Sequence, residues 1–491
     1  MWLLVSSIFF FGYLYYVSYA PENAFRYACI AVSLLAVILA DYFIAILIDR
    51  SASTGKGNPR VYLIIGISFS ILLLFLFKYL NFFNQTVAGI AGLFHLHYPL
   101  RILKILVPLG ISYYTFHSLS YLIEVYRGVQ KPERHLGIFS LYILFFPKMV
   151  AGPIERPQNL LPQFRAEHSF DYTRIMDGMK LMAWGFFKKI VIADRAAIVV
   201  NEVFNRPQDY WGVYLIIATL CFVFQVYCDF SGYSDIAIGA AQVFGITLTV
   251  NFRRPYLSTS IPDLWRRWHI SLISWFRDYV YIPMGGNRVS KFRWQYNIFL
   301  IFFLSGIWHG ANWTFIIWAS LNGFYSLCSI WTESLRNKVT RMIGLTKIPV
   351  FHRMLKILIT FLLFTFAAIF FRANTTTDAL YIITHLFTGI GDLLKTLLAM
   401  NYEMFKSYLV IQNKTTFLGF AKPAFLPEMI TLACAIVAME IIQIIQENSD
   451  RRMRDIISQK PWFVQWALYY GLVFAIIFLG MSGQQFIYFK F

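Results

Sequence analysis

The amino-acid sequence predicts an all-α polytopic membrane protein, and three observations carry that reading. Hydrophobic residues make up 58% of the 491 positions, aromatic residues 19% and charged residues only 14%, whereas a soluble domain carries about 25% charged residues. Apolar runs recur along the whole chain, and many approach the ~20 residues that cross a hydrocarbon core as a helix. The basic residues, which set a formal net charge of +18, collect in short loops between those runs. A large soluble enzyme with apolar core helices is the alternative, and the number of long runs argues against it.

Taken in order, the apolar stretches are 2–20, 27–48, 61–80, 102–125, 137–151, 180–200, 211–228, 234–250, 297–331, 354–371, 428–445 and 463–482. Several are short or interrupted, so the expectation is about 10–12 membrane segments, not all of them spanning. Stretch 2–20 has no basic flank, and its one candidate cleavage site, Ser18-Tyr19-Ala20, runs into Pro21. It is read as a retained membrane segment, not a signal peptide.

Charge gives the orientation. Loop 49–60 holds Arg50, Lys56 and Arg60, and loop 126–136 holds Arg127, Lys131 and Arg134. Loop 332–353 holds Arg336, Lys338, Arg341, Lys347 and Arg353, and loop 446–462 holds Arg451, Arg452, Arg454 and Lys460. Residues 81–100 contain neither Lys nor Arg. This alternation follows the positive-inside rule, so the basic excess reports topology and not nucleic-acid binding. Counting spans puts the amino terminus inside and the tail MSGQQFIYFKF outside.

With no low-complexity linker and no repeat, residues 1–491 read as one membrane domain. Four prolines between 147 and 162 exclude a spanning helix there. Non-helical backbone at membrane depth needs protein or a water-filled cavity around it, so a re-entrant or interfacial segment is expected, with a surface loop as the alternative. The polar-leaning insertion 372–427, including the sequon at Asn413, is expected outside. The five cysteines, Cys29, Cys221, Cys228, Cys328 and Cys434, include no CxxC pair and suggest neither disulfide framework nor metal site. His95 and His97 have ligand-like spacing but sit in a loop with few other ligands.

Two histidines stand in apolar, Trp-rich surroundings, and intramembrane ionisable groups are functional candidates. Around His269, residues 258–286 read as an amphipathic helix at the interface. Ser260 caps it, Pro262 and Asp263 suit its first turn, and Gly285-Gly286 ends it. Trp265, His269, Leu272 and Phe276 would share one face, and Arg267, Ser271, Ser274 and Asp278 another. The arginines would meet lipid headgroups or an anionic ligand. Around His309, Gly306 and Gly310 form a GxxxG that lets a neighbouring helix approach closely. Ser305, His309 and Asn312 fall on one helical stripe, where Ser305 or Asn312 can set the imidazole tautomer. Burial keeps such a ring neutral and able to accept a proton. If the two helices form an antiparallel pair, both rings sit about 21 Å from the turn. On the residues alone, each histidine reads as a satisfied core residue or as a functional imidazole.

The stretches LGISYYTFHSLSYLIEVYRG, FFPKMVAGPIERPQNLLPQF, GFFKKIVIADR, YCDFSGYSDIAIGAAQVFGI, FRRPYLSTSIPDLWRRWHISLISWFRDYVYIPMGGNR and SGIWHGANWTFIIW, in this order, resemble the membrane-bound O-acyltransferase (MBOAT) family. They are most similar to its bacterial polysaccharide-acetylating branch, densely over 60–330 and loosely elsewhere. The resemblance implies a ring of membrane helices with re-entrant segments around a central tunnel. It makes His309, in the WHG motif with Trp308, the catalytic histidine, and His269, in RWH, the second one. It also implies a multi-pass protein of the bacterial cytoplasmic membrane with no bound cofactor. The expected acyl donor is acetyl-CoA or another acyl thioester. The expected partners are an extracytoplasmic acetyltransferase of hydrolase-like fold, a polysaccharide acceptor and membrane lipid. Relatives usually carry one more apolar segment before the position aligned with Met1.

On this reading neutral His309 is the general base for the acceptor hydroxyl, and His269, Asn312 or a Trp indole is the oxyanion donor. The tail Phe486–Phe491 resembles a terminal aromatic motif found with related acyl-transfer systems, which makes Tyr488 a candidate acyl relay; an interfacial aromatic anchor is the alternative. Asp229 and Asp235, in CDFSGYSDIAIG, are expected to bond to Ser231, Tyr233 or Ser234, or to relay protons. Proton relay belongs to the competing function, a polysaccharide or lipid transporter; D-alanyl transfer to teichoic acid is a further alternative.

Overall fold

The computed structural model describes residues 2–18, 24–99, 107–391, 395, 425–481, 483, 486 and 487, and these are helical with connecting turns. Six of the described helices are long and apolar enough to cross a membrane: Ala31–Thr54, Pro59–Leu93, Val213–Val243, Pro349–Arg372, Pro427–Ser449 and Trp462–Leu479. Most of the other apolar stretches fold as shorter helices. Chain contacts divide the protein into one unit of 1–182 with 236–250 and another of 183–235 with 251–491.

The first unit contains α1 (Trp2–Ser18), α2 (Ala24–Thr54), α3 (Pro59–Leu74), α4 (Leu80–Leu93), α5 (Ile111–Tyr126), α6 (Leu136–Leu144), α7 (Phe146–Met149) and α8 (Pro157–Arg165). Its core gathers Ile48, Tyr121, Leu122, Phe139, Tyr142 and Phe145, all almost fully buried. The proline-rich stretch breaks into α7 and α8 with irregular chain between them, and residues 147–157 are buried throughout, so it is not a surface loop. Buried irregular backbone needs partners for its polar groups. Glu155 N–H donates to His117 Nε2 at 3.2 Å, and Tyr142 OH donates to the Glu155 carbonyl at 3.1 Å. The Glu155 carboxylate accepts the Thr249 N–H, yet burial still raises its pKa. The Lys148 ammonium, itself fully buried, lies 4.9 Å from the Tyr142 ring centroid.

Several boundaries differ from the expectation for identifiable reasons. Stretches 211–228 and 234–250 join in one helix, α11 (Val213–Val243), whose Asp229 and Asp235 are each paired with a lysine. Segment 180–200 is interrupted by a π-helical turn at Phe187–Ala193, between α9 (Tyr172–Phe186) and α10 (Asp194–Asn205). Segment 297–331 splits into α14 (Lys291–His309) and α15 (Trp313–Trp331). At Gly306 a Cβ would lie 2.6 Å from the Ala319 Cβ and 2.8 Å from the Phe315 carbonyl, so only glycine permits this close approach. At Gly310 a Cβ would lie 2.2 Å from the Phe315 ring. The GxxxG thus packs α14 against α15, at the end of α14 that carries His309. Gly306→Val should destabilise the protein by about 1–3 kcal/mol through overpacking. Thermal unfolding in detergent checks this, and a variant melting like the wild type would contradict it. Of the insertion 372–427, only residues 372–391 and 395, with a helix at Thr376–His385, and 425–427 lie within the described residues.

Candidate active site

Two interruptions of helical geometry in the second unit bring the site together. α14 stops at His309 because Gly310 is extended (φ −173°, ψ 157°). Asn312 then caps α15: its Oδ1 accepts the Thr314 N–H at 3.1 Å and its Nδ2 donates to the Asn374 carbonyl at 3.0 Å. The expected stripe of Ser305, His309 and Asn312 is therefore cut after His309. Ser305 is buried one turn earlier on α14, whereas Asn312 is committed to the cap.

The helix expected over 258–286 is broken as well. Ser260 caps α12 (Ile261–Arg267), accepting the Asp263 N–H at 3.2 Å as the sequence indicates. Trp268 is then extended, and His269 adopts a left-handed conformation with φ 46° and ψ 51°. Next come α13 (Ile270–Phe276) and a π-helical turn at Arg277–Tyr281. Left-handed backbone is uncommon outside glycine and stores about 1–3 kcal/mol of strain that neighbouring contacts must offset. Trp265, His269, Leu272 and Phe276 consequently do not form one continuous face. Nor do Arg267, Ser271, Ser274 and Asp278. Arg267 pairs with Asp263 at 3.1 Å and Glu447 at 2.9 Å, and Asp278 pairs with Arg277 at 2.9 Å.

Asn251 holds the break in place. Its backbone carbonyl accepts the Ile270 N–H at 2.9 Å. Its side-chain Oδ1 accepts from Ser271 N–H at 3.2 Å and from Ser271 Oγ at 2.9 Å, and lies 3.2 Å from His269 Nδ1. Its Nδ2 donates to Ser234 Oγ at 3.3 Å. An amide oxygen can only accept, so the His269 hydrogen sits on Nδ1 and the Nε2 lone pair is left open. That nitrogen is buried and has no hydrogen-bond partner among the described residues. Burial depresses the ring's pKa to about 3, so it is neutral at physiological pH. His269 therefore presents a lone pair, and Asn312 spends one of its two amide N–H groups on the Asn374 carbonyl. Trp265 Nε1–H is buried without an acceptor among the described residues.

Aromatic rings enclose both imidazoles. His269 meets Phe230 edge-on at 4.6 Å and Trp308 at 6.0 Å between centroids. His309 meets Trp308 at 4.7 Å, Trp318 at 4.9 Å and Phe371 at 5.3 Å. Trp308 thus contacts the two histidines together, and Trp265 joins the same shell through Trp318 at 5.7 Å. Both histidines are buried.

Asp229 and Asp235 lie against lysines that the sequence reading did not pair with them. Lys189 Nζ lies 2.7 Å from Asp229 and 2.6 Å from Asp194, and Lys188 Nζ lies 2.7 Å from Asp235. The Ile487 N–H donates to Asp229 Oδ2 at 2.6 Å. Phe486 packs on Tyr233 at 5.0 Å and on Phe230 at 6.3 Å. Tyr488 lies outside the described residues. Sequence reasoning missed Asn251, Phe230, Phe371 and the two lysines. The adjacent Lys188-Lys189 inside an apolar stretch was a usable signal; nothing local distinguishes Asn251.

The model of the membrane-bound O-acyltransferase family matches residues 112–373. A probable alginate O-acetylase of Pseudomonas putida is 38% identical over 343 residues, covering 69% of this chain and 67% of that protein. The peptidoglycan O-acetyltransferase of Helicobacter pylori is 30% identical over 100% of this chain and 91% of its own length. The teichoic acid D-alanyltransferase of Bacillus subtilis is 31% identical over 47% of this chain and 60% of its own length. Matches to further alginate O-acetylases span 62% and 57% of those proteins.

Proposed function

Because the chain belongs to the membrane-bound O-acyltransferase family and is an O-acyltransferase by that membership, we propose that it takes an acyl group, in the first instance acetyl, from a cytoplasmic thioester and passes it across the membrane for O-acetylation of an exported or envelope polysaccharide. The observation that carries this reading is the pair of buried imidazoles in contact with one indole, Trp308. Acetyl-CoA and a carrier-bound thioester offer the same reactive group, and both are candidate donors. Names of the relatives, alginate and peptidoglycan O-acetylases, support a polysaccharide acceptor.

The chemistry needs a base, a way to stabilise negative charge and a protected site. The acceptor oxygen attacks the thioester carbonyl carbon, a C–O bond forms, and the C–S bond breaks. The hydroxyl proton passes to the His309 imidazole and from there to the departing sulfur. His269 supplies a second proton acceptor, fixed in its tautomer by Asn251. The Trp265 indole N–H is the donor available to the carbonyl oxygen as it gains charge. Packed rings around both histidines exclude water, which limits hydrolysis of the thioester.

Tyr488 is the proposed intermediate carrier. Ile487 is buried with its N–H on Asp229, and Phe486 touches Phe230, which itself touches His269. Tyr488 would receive the acyl group and deliver it to an extracytoplasmic transferase that modifies the polymer. The test supplies labelled acetyl thioester to the cytoplasmic side of proteoliposomes and reads intact mass. The wild type should gain one acetyl mass that Tyr488→Phe does not, and polymer acetylation should fall to background in that variant. Unchanged acetylation with Tyr488→Phe would remove the relay, while polymer movement without acyl incorporation would replace the enzyme by a transporter.

A further inference from the structure

The carboxyl-terminal segment enters the second unit at two places. At the first, the Met481 N–H donates to the Ile190 carbonyl at 2.9 Å, and Arg195 Nη2 donates to the Leu479 carbonyl at 2.5 Å. At the second, Ile487 is 2% exposed and hands its N–H to Asp229, while Phe486 is 7% exposed between Tyr233 and Phe230. A backbone amide aimed at a buried carboxylate is a strong, charge-assisted bond that specifies position without reading a side chain.

The carboxylate is held ready for that bond. A π-helical turn accommodates one extra residue, and the turn at Phe187–Ala193 carries Lys188 and Lys189 at consecutive positions. Both amines reach carboxylates of the facing helix, Lys188 taking Asp235 and Lys189 taking Asp229. Lys189 also contacts Asp194, so one ammonium lies between two carboxylates. Asp229 uses Oδ1 for the lysine and Oδ2 for the tail. An ion pair of this kind fixes the Asp229 rotamer, so its second oxygen points at one place.

We infer that Asp229, oriented by Lys189, is a positioning residue: it clamps the tail backbone at Ile487 and so sets where the following hydroxyl is presented. Consecutive Cα atoms are about 3.8 Å apart, so anchoring one residue strongly limits the reach of the next. The inference rests on the relay reading for its catalytic meaning, but the clamp itself can be tested without it.

The experiment digests the full-length, detergent-solubilised protein with a carboxypeptidase and follows trimming by intact mass. Wild-type protein should resist removal of Ile487. Asp229→Ala should be trimmed past that residue at least tenfold faster. Asp229→Asn keeps one acceptor oxygen for two donors, Lys189 and the Ile487 N–H, and should be trimmed at an intermediate rate. Ile487→Pro removes the donor together with the buried Ile487 side chain and leaves the Lys189–Asp229 ion pair intact; it should be trimmed at least as fast as Asp229→Ala. Combining the two should add nothing, since they remove the same bond. Equal trimming of wild type and Ile487→Pro, or additive effects in the double variant, would overturn the clamp. If Tyr488→Phe acetylates polymer normally while the trimming pattern holds, the relay fails and the clamp stands. If Tyr488→Phe abolishes acetylation while trimming is indifferent to Ile487→Pro, the clamp fails and the relay stands.

Discussion

Replacing His309 with alanine is expected to lower acyl transfer by about 10²- to 10⁴-fold, the range for loss of a positioned general base. The ring ends α14 against Trp308, Trp318 and Phe371 and is 6% exposed. Truncation leaves a space lined by aromatic carbon, so some stability is lost too, but no charge is stranded. The chain breaks at Gly310 and restarts at the Asn312 cap independently of the imidazole. The variant should therefore insert, purify as a single species and retain thioester binding. Transfer of labelled acetyl in proteoliposomes, set beside binding of a non-hydrolysable donor analogue, separates the two outcomes. Near wild-type transfer would dismiss His309 as the base, and loss of both transfer and monodispersity would mark it as structural.

The second large effect is expected at Asn251, whose side-chain oxygen serves His269 and Ser271 together. Asn251→Asp keeps the acceptor and adds a buried negative charge beside the His269 Nδ1–H. That charge favours imidazolium, raises the ring's pKa and occupies the Nε2 lone pair with a proton. Transfer should fall about 10²-fold at neutral pH and recover as pH rises through the new pKa. Stability gives an independent reading. In the native protein the His269 ring stays neutral down to about 3, whereas its usual value is 6.5. Between those values the unfolded chain binds a proton that the native state does not, so stability falls on acidification through this window. In Asn251→Asp the native state takes up that proton as well, and the dependence flattens. Melting temperatures compared between neutral and mildly acidic buffer show the difference. An unchanged pH slope would mean that Asn251 does not control the ring.

The helical architecture was legible because its signals are local. Apolar run length, proline placement and the Gly306/Gly310 pair each act within one or two turns, and the Ser260 cap lies where the motif indicated. His269, His309, Trp308 and Trp265 were also singled out from sequence, and the structure gathers them in one aromatic shell. What escaped were the interactions that cross the chain. The pairing of Asn251 with His269 spans eighteen residues and imposes a left-handed turn, which helical periodicity cannot express. The same periodicity carried one stripe through Gly310, although that residue is extended. The ion pairs of Asp229 with Lys189 and of Asp235 with Lys188 likewise join separate helical segments, which local spacing does not express.

The left-handed backbone at His269 also shapes which changes this position can accumulate. Asparagine, aspartate and glycine tolerate that conformation, whereas valine and isoleucine do not. A histidine codon becomes an asparagine codon by a single nucleotide change, and asparagine carries no basic nitrogen. One single-step change that this backbone accommodates therefore removes the basic nitrogen at residue 269. Descendants that keep the scaffold and abandon the reaction would be expected to bear that mark.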